Sequence, residues 1–149
     1  MAKKEGTNSS DRHLKVTSID LERHNQDVDT WVTNDFSGPC SVRDILDRVG
    51  DKWSVLVILR LGRKTERFRQ LMRSIDGISQ RMLTVTLRGL ERDGLVNRKV
   101  LATSPPAVEY SLTPLGLLLL DQVTGLVNWA LEHEAAVTAC RQSYDARQT

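Results

Sequence analysis

The stretch from Gly77 to Arg98, GISQRMLTVTLRGLERDGLVNR, decides how the rest of the chain is read. Leu83, Leu87 and Leu90 recur at i, i+4 and i+7, the spacing of one helix face. At about 100° per residue, Arg81, Val85, Arg88 and Arg92 fall on the opposite side. Ser79 suits the N-cap, and Asp93-Gly94 suits the stop. The segment therefore predicts a helix over 79–93 with an aliphatic face that anchors it and a guanidinium face turned outward. After it, LVNRKVLA and AVEYSLT are strand-like and joined by TSPP, which predicts a hairpin with a short, uncharged tip. Arg98 and Lys99 on its first strand point to opposite faces, because strands alternate.

Upstream, SVRD from Ser41 has a capping-box pattern, and Val42, Ile45, Leu46 and Val49 form a helical stripe that Gly50 closes. DKWSVLVILRLG follows. Trp53, Val55, Leu56, Val57, Ile58, Leu59 and Leu61 make it apolar nearly all round, as a central core helix is. In RKTERFRQLMRSIDG, Phe68, Leu71, Met72 and Ile75 predict a third helix, with a short strand around Arg67 before it. Downstream, Thr113-Pro114 is a helix start. The last helix is expected from Leu115 to about Gln142, with Leu115, Leu118, Leu119, Gln122, Val123, Leu126, Ala130 and Val137 as its stripe. Such a helix is roughly 40 Å long, more than a small domain covers, so a second copy is expected to cover it in a symmetric dimer.

The chain has 149 residues, 40% hydrophobic and 27% charged, within the range of a soluble domain of ordinary size. Residues 63–100 carry ten Lys and Arg against four acids, while the segments 1–39 and 101–149 are net acidic. A basic middle between acidic flanks suits a surface that meets polyanions. Residues 1–35 are polar and read as a flexible or partly ordered extension. The domain from 36 to 113, a helix over 114–142 and a tail over 143–149 complete the expected organisation. The richest apolar run, LGLLLLDQVTGLVNWAL, is interrupted by Asp121 and Gln122, and the N-terminus MAKKEGTNSSDRH lacks an apolar signal core. Neither a membrane partner nor export is expected. Two cysteines, Cys40 and Cys140, are too few for a disulfide framework, so a reducing cytoplasm is the expected compartment.

Catalytic motifs fail one by one. His133-Glu134 opens like a zinc protease motif but lacks the second histidine, and His133 with Cys140 is too sparse for a metal. Phosphate loop, dinucleotide fingerprint and Ser-His-Asp arrangement are all missing from the sequence. No cofactor, no metal and no enzyme activity are expected. Trp53, Trp129 and Tyr110 read as core or interface aromatics.

The order of elements is that of a winged helix-turn-helix with one additional leading helix: mostly α, with a small β-hairpin wing and a long C-terminal dimerisation helix. CSVRDILDRVGDKWSVLVILRL, RFRQLMRSIDGISQRMLTVTLRGLERDGLVNRKV and PPAVEYSLTPLG, in this order, resemble the HxlR-type branch of the MarR-like bacterial transcription regulators over about residues 39–131. The N-terminal segment is longer than is usual there, GRKTE replaces a Gly-Pro before the RF pair, and Gly89 replaces an acidic residue. The resemblance implies a homodimer that binds double-stranded operator DNA and alters transcription. In part of that family an N-terminal cysteine senses oxidants or electrophiles.

On this reading Arg81, Thr84, Val85 and Arg88 face bases in a major groove, and the amides near Ser79 and Gln80 hold a phosphate. Arg98 and Lys99 belong to a wing that meets phosphates. Cys40 precedes a helix start, where the positive end of the dipole favours a thiolate, with Arg43 and Lys52 near in sequence. The alternatives are an inert Cys40 buried between subunits, and a Cys140 that is either its redox partner or uninvolved. A regulator controlled by a non-covalent small-molecule inducer and a protein-interaction module without operator binding remain as rival functions.

Overall fold

The computed structural model describes residues 42–149. Cys40, the Ser41 cap and the extension over 1–35 lie outside the described residues. In chain order the elements are α1 (Val42–Gly50), α2 (Lys52–Leu61), β1 (Glu66–Arg67), α3 (Phe68–Ser74), α4 (Gln80–Arg92), β2 (Val96–Leu101), β3 (Ala107–Leu112) and α5 (Pro114–Gln148). This is the expected mostly helical, winged helix-turn-helix order.

Asp51 starts α2. Its carboxylate accepts hydrogen bonds from the Ser54 amide at 3.0 Å and the Ser54 hydroxyl at 2.8 Å. Ser54, Val57, Ile58 and Leu61 are buried, and they form the central wall against which α4 packs. Leu56 is exposed and Val55 and Leu59 are half-buried, so α2 is less enclosed than its composition suggests.

The hairpin forms as expected, with Val96 opposite Leu112 and Leu101 opposite Ala107. The short strand adds to it: β1 pairs antiparallel with β3, giving a three-stranded sheet in the order β1-β3-β2. Glu66 lies opposite Tyr110 and is 2% exposed. Its carboxylate accepts from Arg60 Nη2 at 2.9 Å and from Ser74 Oγ at 3.4 Å. A buried carboxylate without such partners is costly, so this ion pair fixes β1 between α2 and α3.

The core combines Val57, Ile58 and Leu61 of α2 with Leu71 of α3, Ile75 and Ile78 of the turn, Leu83, Leu87 and Leu90 of α4, and Leu95, Val96 and Tyr110 of the sheet. The start of α5 is seated on this body. Thr113 Oγ1 accepts from the Gly116 amide at 3.0 Å and donates to the Gly94 carbonyl at 2.6 Å. A side chain at Gly116 would collide with the Leu95 carbonyl oxygen, so the close approach requires glycine here.

Two expectations for α5 are corrected. The helix continues through 143–148, which were expected to form a tail, because no glycine or proline stops it there. Its 35 residues span roughly 52 Å at about 1.5 Å per residue. The single apolar stripe is in fact divided. Gly116 and Val123 are buried and Leu119 and Leu120 pack against the core, whereas Leu115, Leu117, Leu118, Leu126, Trp129 and Leu131 are exposed. By length and composition alone α5 is also apolar enough to cross a membrane, which Asp121 and Gln122 were expected to preclude. Its first turns are instead spent on packing against the helix-turn-helix body.

Candidate nucleic-acid interface

α4 is fixed at both ends and along one side. Ser79 Oγ accepts from the Met82 amide at 3.1 Å, the predicted N-cap. The preceding turn uses Gly77 at φ +77°, a conformation that side chains disfavour. Leu83, Thr86, Leu87 and Leu90 are buried. At the other end the Gly94 amide donates to Glu91 O at 3.0 Å and the Leu95 amide to Leu90 O at 2.9 Å. With Gly94 at φ +72° and Leu90 and Leu95 both buried, this is a Schellman ending, which turns the chain directly into β2.

The opposite side is open. Ser79, Gln80, Arg81, Val85, Arg88 and Arg92 are exposed, and Thr84 is half-buried with its hydroxyl donating to Gln80 O at 2.8 Å. Gln80, Arg81, Thr84, Val85 and Arg88 share one shallow concave surface. Among the described residues, ion pairs join Arg48 to Asp93 and Arg60 to Glu66, and neither Arg81 nor Arg88 takes part in one. Each guanidinium carries five N–H donors on this open side.

The sheet register separates the two wing cations. Arg98 lies opposite Tyr110, and Lys99 lies opposite Glu109. Arg98 thus faces α4. With Phe68, Thr84, Leu87, Arg88, Glu91 and Tyr110 it lines an open cleft of about 360 Å³ between helix and wing. Lys99 is on the other face of the sheet, where Glu109 also aligns with Arg67 of β1. The fold brings Arg98 to the row formed by Ser79, Gln80, Arg81, Thr84, Val85 and Arg88, and leaves Lys99 apart from it. Cys140 is an exposed free thiol on α5, and any pairing with Cys40 falls outside the described residues. No group of three or more metal-ligating side chains occurs among the described residues.

Two contacts were not foreseen. The cleft beneath Arg98 was missed because Phe68, Glu91 and Tyr110 come from three separate segments. The Arg48–Asp93 ion pair, at 2.8 Å, joins α1 to the end of α4 across 45 positions; Asp93 reads in the sequence only as part of the helix stop, and nothing there marks Arg48 as its partner.

A family model described as HxlR-like helix-turn-helix matches residues 48–137, which include α4 and the whole wing. The chain belongs to the HxlR-like helix-turn-helix family. Among the relatives of this HxlR-like chain is the uncharacterized HTH-type transcriptional regulator YtfH of Escherichia coli, 43% identical over 96 residues, which are 64% of this chain and 76% of YtfH. A transcriptional regulator of the MarR family from Enterococcus faecalis is 42% identical, with a TM-score of 0.55 over 63% of this chain and 84% of its own. The reduced form of the redox regulator HypR is 37% identical, with a TM-score of 0.62 over 66% of this chain and 97% of its own. The HxlR-like chain is a helix-turn-helix transcription regulator of MarR-like fold and not an enzyme.

Proposed function

We propose that this regulator is a homodimer that binds a near-palindromic operator through two copies of α4, and that thiol chemistry at Cys40 modulates the binding. The observation that carries the reading is the outward row of Arg81, Thr84, Val85 and Arg88 on a helix anchored from its other side. A major groove about 12 Å wide admits such a helix, and arginine grips guanine through two hydrogen bonds. The amides at the start of α4, at Ser79 and Gln80, suit a phosphate, and Arg98, on the sheet face toward α4, suits a phosphate reached by the wing, whereas Lys99 is on the other face.

Dimerisation is supported by the apolar surface left uncovered. Leu115, Leu118, Leu126 and Trp129 on α5 and Ile45 and Leu46 on α1 are all more than half exposed. Surfaces of that kind mark an interface, and a two-fold axis makes one patch serve both subunits. The likeness to HypR supports a redox signal. Cys40, next to the start of α1, is the candidate sensor, with Cys140 as a candidate partner. Oxidation or alkylation there would bias the spacing of the two α4 helices. The cytoplasm, where operator DNA is accessible, is the proposed compartment.

The test is a footprint on promoter DNA with and without mild peroxide or a quinone, using the wild type and Cys40→Ser. Protection is expected in two successive major grooves about one turn apart, and it should weaken steeply with salt. Oxidant should change the wild-type footprint only. An identical response in both proteins would remove the sensor and favour a non-covalent inducer. A lack of sequence-selective protection would remove operator binding and favour a protein-interaction module.

A further inference from the structure

Gly89 stands in the interior of α4, where glycine is the poorest helix former apart from proline. A Cβ at this position would lie 2.5 Å from Arg48 Nη1 and 2.7 Å from Arg48 Nη2. The Arg48 guanidinium therefore rests on bare helix backbone, in space that any side chain at 89 would claim. One turn further on, Arg48 Nε donates to Asp93 Oδ2 at 2.8 Å. Arg48 comes from the last turn of α1, a helix with no buried residue. On α1, Arg48 and Val49 are half-buried while Ile45 and Leu46 are exposed.

We infer that Arg48 and Gly89 are positioning residues for operator binding: the guanidinium seated over Gly89 and tied to Asp93 clasps α1 to the C-terminal half of α4. The planar fork of arginine suits this seat, since it spans a flat contact and an ion pair together. The ion pair is partly exposed, so its effect on stability is small. Its effect is on orientation, because a displacement of α1 is passed to the helix that carries Arg81 and Arg88. The inference deepens the operator-binding reading and rests on it.

Gly89→Ala separates orientation from folding, since alanine is the better helix former but occupies the guanidinium's seat. The experiment compares wild type, Gly89→Ala, Arg48→Met and the double variant. It measures operator affinity, thermal midpoint and the NMR signal of the Arg48 Nε–H. Gly89→Ala should hold or raise the thermal midpoint, lose the hydrogen-bonded Nε–H signal, and weaken operator binding on the order of fivefold. Arg48→Met should weaken it similarly, and the double variant no further, because the two changes break one contact. Unchanged affinity in Gly89→Ala, additive losses, or a parallel fall in thermal midpoint would overturn the clasp. A wild type that binds no duplex selectively would overturn the operator reading and this inference together. It is distinct from failure of the clasp alone, in which wild type and Gly89→Ala bind equally.

Discussion

Leu83→Ala is expected to destabilise the protein by about 2–5 kcal/mol, the range for truncating a fully enclosed leucine. Leu83 is 0% exposed and lies where α4 packs on α2. Removing three carbons there loses their transfer from water and leaves a void that helices fixed at both ends cannot close. The neighbouring control is Val85→Ala. Val85 is on the same helix, two residues on, but 56% exposed, so its truncation should change stability by no more than about 0.5 kcal/mol. Urea unfolding followed by far-UV circular dichroism measures both. Similar midpoints for the two variants would mean that α4 is not anchored by its leucines. Since a typical domain has only about 5–15 kcal/mol of stability, Leu83→Ala is also expected to lower the amount of folded protein in cells.

Arg88→Ala is expected to weaken operator binding by about 1–3 kcal/mol if the guanidinium grips a guanine. At about 1.4 kcal/mol per tenfold, that is roughly 5- to 150-fold. Stability should change by no more than about 0.5 kcal/mol, because Arg88 is exposed and joins no ion pair among the described residues. Arg81→Ala, about two turns nearer the helix start, makes the companion measurement. Fluorescence anisotropy on the operator and on an unrelated duplex separates the roles. A base contact is lost from the operator alone. A phosphate contact weakens both duplexes alike and lowers the salt slope by about 0.9 per contact removed. Equal loss on both sequences would assign Arg88 to the backbone, and no loss on either would take it out of the interface.

The parts of this structure that were legible in the sequence are those determined by near neighbours. The Ser79 cap, the leucine stripe and the Gly94 stop all act within four or five residues, so α4 was readable end to end. The wing was readable for the same reason, through alternation and the proline-containing turn. What escaped notice depends on contacts between distant segments. Glu66 looks like any surface acid until β1 pairs with β3 and presses it against Arg60 and Ser74. Gly89 looks like a weak point in a helix until Arg48 is seen lying over it. α5 misled in a different way. Its leucines occupy several sides, so the spacing alone does not say which side meets its own domain and which is left for another surface. The candidate site divides along the same line. The α4 row is a local pattern, whereas the placing of Arg98 beside it and Lys99 away from it comes from the strand register.

The most direct test of the central claim, that the outward face of α4 reads operator bases in the major groove, is methylation interference at guanine N7. Methyl groups there occupy the acceptor that arginine uses in the major groove. Two clusters of interfering guanines about one helical turn apart are predicted for the wild type, and Arg88→Ala should lose sensitivity to a guanine in each cluster. Interference confined to adenine N3 in the minor groove, or a guanine pattern unchanged by Arg88→Ala and Arg81→Ala, would contradict the account.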